Sequence, residues 1–251
     1  MQHQRSITVV LLVVIFFAFS FSFLRYQANN GQQDTWFNTH WRARAAERPL
    51  IRWALGLHQA GDGRSDYLHP ARSEGFPVRI FLDPAVVIPN GSIEAALPEM
   101  VKLLGSGGFD IGTPLQLTST KETYTSKDFR RLAGQASKMD SIQTPVDIFV
   151  LTKDAVSPTQ VGSSVREHGI VVFMASIQEL TPESNAQAAL VTSTILHEFG
   201  HQVGLDHLDE PSCIMAAVVE QPVSTSWAPQ IVPTQYCPEE LAQIAAFQKV
   251  K

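Results

Sequence analysis

Hydrophobic and polar positions follow different rules in different stretches of this chain, and the changes of rule mark its parts. Residues 7–24 (ITVVLLVVIFFAFSFSFL) are 18 successive positions without a charge, held between Arg5 and Arg25. Such a run reaches the lower limit for a helix crossing a hydrocarbon core and exceeds the apolar centre of a signal peptide. Bulky Phe surrounds its only small-x-small pairs, Ala18 with Ser20 and Ser20 with Ser22. The expectation is an uncleaved transmembrane signal-anchor at 7–24. Residues 1–6 then form a tail inside, and the bulk of the chain lies outside the cytoplasm as a single-pass protein of the cell membrane. The alternative is secretion after signal cleavage. Basic residues on both flanks, Arg5 on one side and Arg25, Arg42 and Arg44 on the other, leave the orientation undecided by charge.

Residues 25–75 read as a stalk. Positions 26–34 are polar and rich in Asn and Gln, a composition with no reason to fold alone. Across 35–58, Trp36, Phe37, Trp41, Leu50, Ile51, Trp53 and Leu57 recur at helical spacing. One or two amphipathic helices are expected, packed on a domain or lying at a bilayer surface. Residues 61–66 (GDGRSD) lack EF-hand spacing and read as a turn.

From residue 76 onward two periods interleave. Residues 78–82 alternate as a strand, and 92–104 place Ile93, Ala96, Leu97, Met100, Val101 and Leu104 at helical spacing. Residues 115–119, 146–151 and 169–174 are strand-like, the last following a Gly/Ser-rich turn. Residues 127–136 form a polar helix or loop, and 238–250 a roughly amphipathic closing helix. Strands alternating with helices predict one domain over 76–251 of α+β (or α/β) class, a mixed sheet with helices packed on it.

The most legible helix begins after Thr181-Pro182, read as an N-cap followed by Pro at the first helical position. Val191, Ile195, Phe199 and Val203 repeat every four residues as a buried stripe, and Gly204 ends it. His197 and His201 are offset from the stripe by two residues, about 200° around the helix. One face packs and the other is left for chemistry.

That chemistry is specified by spacing. His197-Glu198-Phe199-Gly200-His201 is HExxH on a helix, which puts two imidazoles side by side within reach of one zinc ion. Gly204 permits the left-handed turn that lets His207 swing back as a third ligand. Three protein ligands leave a position for water, as in catalytic zinc sites, whereas structural sites are closed by four. Zinc so held lowers the pKa of bound water and polarises a carbonyl. Glu198 is then the general base that takes the water's proton and delivers it to the leaving amine. Asp206 is a candidate second carboxylate orienting a ligand histidine, or a cap of the turn. His3, His40, His58, His69 and His168 have no ligand spacing.

Through His197-Glu198-x-x-His201-x-x-Gly204-x-x-His207 and Ser212-Cys213-Ile214-Met215, the chain resembles the metzincin clan of zinc peptidases. The resemblance implies a zincin-like domain with a twisted sheet, a backing helix, an active-site helix, a Met-turn and a C-terminal helix. It implies that Met215 lies beneath the zinc. It also implies that Gly169, Ile170, Val171, Val172 and Phe173 form the cleft-edge strand on which an extended peptide adds. Tyr236 stands where some members of the clan place a tyrosine that reaches the metal or the oxyanion; its other reading is a buried tyrosine packed beside Cys237. Cys213 and Cys237 resemble part of the cysteine set of archaemetzincins, which hold a second zinc on four cysteines. Leu208 and Glu240 stand where that set has its others, so the resemblance is incomplete. One catalytic zinc is expected, a second structural zinc is not, and a Cys213–Cys237 disulfide is the natural substitute. The short acidic loop Asp209-Glu210-Pro211 resembles matrixins equally, so the subfamily stays open.

Composition narrows the partners. A formal charge of -5 and the lack of any Lys/Arg-rich run give no electrostatic reason to expect nucleic acid. The partner implied is a peptide or protein substrate, and through the N-terminal run a membrane. The two cysteines pair in an exported domain or stay as buried thiols in a cytosolic one, and the anchor favours pairing. The reading is a zinc metalloendopeptidase. Its rivals are a catalytically silent zinc-containing peptide-binding protein, which retention of Glu198 argues against, and a zinc hydrolase of non-peptide amides.

Overall fold

The computed structural model describes residues 2–29, 37, 40, 41, 44, 45, 48–57, 59–70, 75–105, 107–139, 143–217 and 232–249, with only the backbone at 2–12, 29 and 49. They fall into two compact units, Met1–His58 and Gln59–Lys251.

The first unit holds α1 (Gln2–Asn29) and α2 (Pro49–Leu55). Pro49 opens α2, where its missing N–H costs nothing, and Gly56 closes it in the left-handed region at φ 67°. Ala28, Phe37, Ala45, Leu55 and Leu57 form a small core. Leu50 and Trp53 are both 83% exposed, so the expected aromatic stripe is only partly used for packing. Trp36 and His58 lie outside the described residues. Among the described residues no helix is long and apolar enough to cross a membrane, which leaves the anchor at 7–24 without support from the structure.

The second unit begins ahead of the expected boundary at 76, because residues 59–70 are tied into it. Here α3 (Arg64–Leu68) buries Tyr67, which packs edge-on against Phe199 and donates its hydroxyl proton to Pro145 O at 2.8 Å. Of the turn expected at 61–66, residues 61–63 form it and 64–66 belong to this helix.

The sheet contains β1 (Phe76–Leu82), β2 (Phe109–Ile111), β3 (Leu115–Gln116), β4 (Val146–Leu151), β5 (Gly162–Val165) and β6 (Gly169–Phe173), in the order β2-β1-β4-β6-β5 with β3 also on β1. All pairings are parallel except β5 on β6, which is antiparallel. The mixed sheet with helices is the expected class. All six residues of β4 are buried, as a strand covered on both faces requires. Val146, Ile148 and Val150 face one core, and Phe149 and Leu151 face the other. On the second face α5 (Ser126–Ala136) supplies Phe129, Leu132, Ala133 and Ala136. The sequence left α5 open as helix or loop; a capping box between Thr125 and Asp128 starts it.

On the first face lie α4 (Leu97–Leu104), which a 3-10 turn at Glu94–Ala96 leads into, and α7 (Ser184–Gln202). The short α6 (Met174–Leu180) precedes α7, and α8 (Pro238–Gln248) ends the unit. The start expected for α7 is corrected: Thr181 caps the end of α6, its N–H donating to Ile177 O, and α7 begins at Ser184 without a side-chain cap. Its end is as expected, with Gly204 at φ 90°. The stripe of Val191, Ile195, Phe199 and Val203 is buried, but so are His197 and Glu198, because the Met-turn region covers His197 and strand β5 covers Glu198.

Candidate metal and catalytic site

The three histidines expected to act together converge. His197 and His201 project from α7 one turn apart, and the chain after Gly204 returns to place His207 Nε2 at 3.2 Å from the Nε2 of each. Three nitrogens sharing a tetrahedral zinc at about 2.0–2.1 Å would stand about 3.3–3.4 Å apart, so the spacing fits.

Their protonation fits as well. His197 Nδ1 lies 2.7 Å from Ile214 O, and His201 Nδ1 lies 3.0 Å from Leu205 O. A carbonyl can only accept, so each Nδ1 carries the proton and each Nε2 turns a lone pair inward. Burial is the main cause that lowers His201's pKa and pushes His197's down to about 3, against the opposing pull of those carbonyls. Both rings are thereby neutral ligands near pH 7. Lone pairs aimed at one point from this distance are the donor set of a metal ion. His197 is buried, His201 half-buried and His207 exposed, so the centre opens to solvent on the His207 side.

The turn at 213–216 forms the floor. Met215 is fully buried, and a Cβ built on Gly200 would stand 2.3 Å from its Sδ. The sulfur therefore packs on bare helix backbone between the two ligand histidines. Met215 N–H donates to Glu240 Oε1 and Cys237 N–H to Glu240 Oε2, each at 2.6 Å. Glu240 is wholly buried, and burial raises its pKa against these two donors. Cys213 and Cys237 form a disulfide with Cα atoms 5.2 Å apart, so both expected cysteines bind the Met-turn to the start of α8. Sequence reasoning missed Glu240 as anything more than a lost cysteine; its place three residues after the Cys237 N-cap was the available signal.

One expectation is corrected, that of the edge strand, and for Tyr236 the buried reading is the one found. Asp206 is exposed and its charge acts on His201, while main-chain carbonyls accept from the Nδ1 of His197 and His201. Tyr236 is buried away from the histidine nitrogens, its hydroxyl donating to Leu196 O at 2.6 Å and its pKa raised chiefly by burial. The strand of Gly169, Ile170, Val171, Val172 and Phe173 is not an edge, because β6 pairs with β4 on one side and β5 on the other. The edge is β5, which the sequence presented as a Gly/Ser-rich turn; among its four residues only Val165 carried a strand signal.

Strand β5 also reaches the carboxylate. Glu198 is wholly buried, and Ser164 Oγ lies 2.7 Å from its Oε2 and 3.0 Å from its main-chain O. Neither Ser164 nor Gly162, two positions earlier on the same face, was singled out by the sequence. Residues 218–231, which follow the Met-turn and where the metzincin resemblance implies loops that shape specificity, lie outside the described residues.

The comparisons agree with this geometry. Residues 116–229 match the family of matrixins. Archaemetzincin from Methanopyrus kandleri superposes with a TM-score of 0.51 at 14% identity, over 71% of this chain and 97% of that one. A zinc-dependent peptidase from Methanocorpusculum labreanum gives 0.49 at 16% identity over 66% of this chain and 99% of that one. At 14% identity the first of these shows the fold alone. No curated protein sequence matches the chain significantly. The matrixin match takes in all three converging histidines and the fold is similar to that of archaemetzincin, and together they support a zinc metallopeptidase.

Proposed function

We propose that the chain is an endopeptidase with one catalytic zinc held by His197, His201 and His207, and with Glu198 as general base. The observation that carries the reading is His207 Nε2 at 3.2 Å from the Nε2 of both His197 and His201, with the Nδ1 of His197 and of His201 each on a main-chain carbonyl. When bound there, zinc supplies Lewis acidity that acidifies water and polarises a peptide carbonyl. Glu198, next to His197 on α7, holds a carboxylate beside the centre and is the group to take a proton from water and return it to the departing amine. Strand β5 offers the free edge on which an extended substrate adds.

The test compares the full chain with Glu198→Ala for zinc content and hydrolysis of a casein-like protein. One zinc per chain in both, with cleavage only by the parent, supports the reading. Zinc in both without cleavage favours the silent binding protein, and no zinc in either overturns the assignment.

The N-terminal run at 7–24 is proposed as the anchor of a single-pass, extracytoplasmic enzyme. Its uncharged length supports this, as does the Cys213–Cys237 disulfide, which belongs in an oxidising compartment.

A further inference from the structure

Strand β5 contributes to the reaction as well as bounding the cleft. Successive side chains on a strand alternate faces, so Gly162 and Ser164 share the face turned toward α7. At Gly162 a Cβ would stand 2.9 Å from Glu198 Oε1 and 2.3 Å from Thr194 Cγ2, so the missing side chain leaves the room that Oε1 occupies. At Ser164 the hydroxyl lies 2.7 Å from Glu198 Oε2. One carboxylate oxygen is thus given space and the other a hydrogen bond, both from the strand across the helix.

We infer that Ser164 is a positioning residue for Glu198: its hydroxyl fixes the orientation of the carboxylate that serves as base. A carboxyl side chain has torsions of its own, and α7 fixes only its Cα. The hydroxyl has one proton, and the shorter of its two contacts is to Oε2 rather than to the main-chain O at 3.0 Å. Ser164 therefore donates to the carboxylate and holds it in one rotamer. Strand β5 is antiparallel to β6 through the pairs Ser163 with Val171 and Ser164 with Ile170, so the donor is itself held in register.

The inference rests on Glu198 being the base, and the test keeps the two apart. Zinc affinity, kcat and KM are measured on the full chain for the parent, Ser164→Ala, Ser164→Thr and Glu198→Ala, and the metal-free Ser164→Ala chain is crystallised. A misplacement on the order of an ångström costs up to about 100-fold in rate. For Ser164→Ala the expected result is therefore a kcat roughly 10- to 100-fold lower, with KM within about twofold and zinc affinity unchanged. In its crystal structure the Glu198 carboxylate leaves the parent position. Ser164→Thr, which keeps the hydroxyl, restores most of kcat. If Glu198→Ala is inactive while Ser164→Ala keeps the parent kcat and carboxylate position, the inference is overturned and the base stands. If Glu198→Ala keeps activity, the assignment of the base falls first. A loss in Ser164→Ala that Ser164→Thr fails to restore, or that appears in KM or zinc affinity alone, also overturns it.

Discussion

Two glycines leave room for different atoms of one site, and they sit in unlike surroundings. Gly200, between the ligand histidines on α7, makes way for Met215 Sδ; Gly162, on the sheet edge, makes way for Thr194 Cγ2 and the Glu198 carboxylate. Met215 is fully buried, with its N–H held by Glu240 and the neighbouring Cys213 in a disulfide. Among the described residues strand β5 pairs on one side only. The metal floor is thus tied by a disulfide and a buried carboxylate, while the wall beside the base is tied by one strand ladder and its packing on α7. Rigidity is placed where ligands must converge within fractions of an ångström, and adjustability where a substrate strand must be admitted.

The largest effect that would break this contrast comes from Gly200→Ala. Alanine gains up to about 1 kcal/mol of helix propensity over glycine. Its Cβ would stand 2.3 Å from Met215 Sδ and 3.5 Å from Leu205 Cδ1. Overpacking of this kind costs about 1–3 kcal/mol, so a net loss of up to about 2 kcal/mol is expected in denaturant unfolding. The displaced Met-turn also carries Ile214 O, the partner of His197, so zinc affinity should fall about tenfold. A variant more stable than the parent, with zinc affinity intact, would mean that the floor yields as readily as the edge.

Gly162→Ala gives the smaller effect that sharpens the contrast. An edge strand can move a few tenths of an ångström, so the expected stability loss is about 1 kcal/mol. The accompanying fall in kcat is about tenfold, because the Cβ crowds Glu198 Oε1. Thr194→Ser removes Cγ2 and leaves only the carboxylate contact. In that background Gly162→Ala should regain stability without regaining kcat. Recovery of both would assign the loss to Thr194 and displacement of the strand.

The same two walls differ in how far the sequence reveals them. On α7 the ligand spacing is the helix period itself, so His197, Glu198 and His201 could be read as a unit, and Gly204 announced the turn that returns His207. On β5 the working residues are Gly162 and Ser164, which are poor strand formers and good turn formers. Their assignment to a strand comes from pairing with β6, a long-range fact that no local pattern carries. The edge was consequently placed on Gly169 to Phe173, whose unbroken apolar character is that of a strand covered on both faces. The carbonyls of Ile214 and Leu205 that orient His197 and His201 were hidden for a related reason: main-chain partners leave no mark in residue types.

Tyr236 gives the finest test of what belongs to the floor and what to the reaction. Its hydroxyl is buried and donates to Leu196 O, on the residue just before His197, while its N–H lies 3.4 Å from Glu99 Oε2. It therefore braces α7 from the side away from the histidine nitrogens. Tyr236→Phe keeps the ring and removes one hydrogen bond, whose net worth is about 0.5–1.5 kcal/mol. Because Leu196 O belongs to a helix and retains its place in the helical ladder, the expected loss is near the lower end, about 0.5–1 kcal/mol. It should be read as a small drop in the denaturant midpoint at unchanged slope. Zinc affinity, kcat and KM should stay within about twofold of the parent. A tenfold fall in kcat at unchanged stability would instead put the hydroxyl at the developing oxyanion in the working enzyme. Tyr236 would then have to leave Leu196 O during turnover, and the floor would be as mobile as the edge.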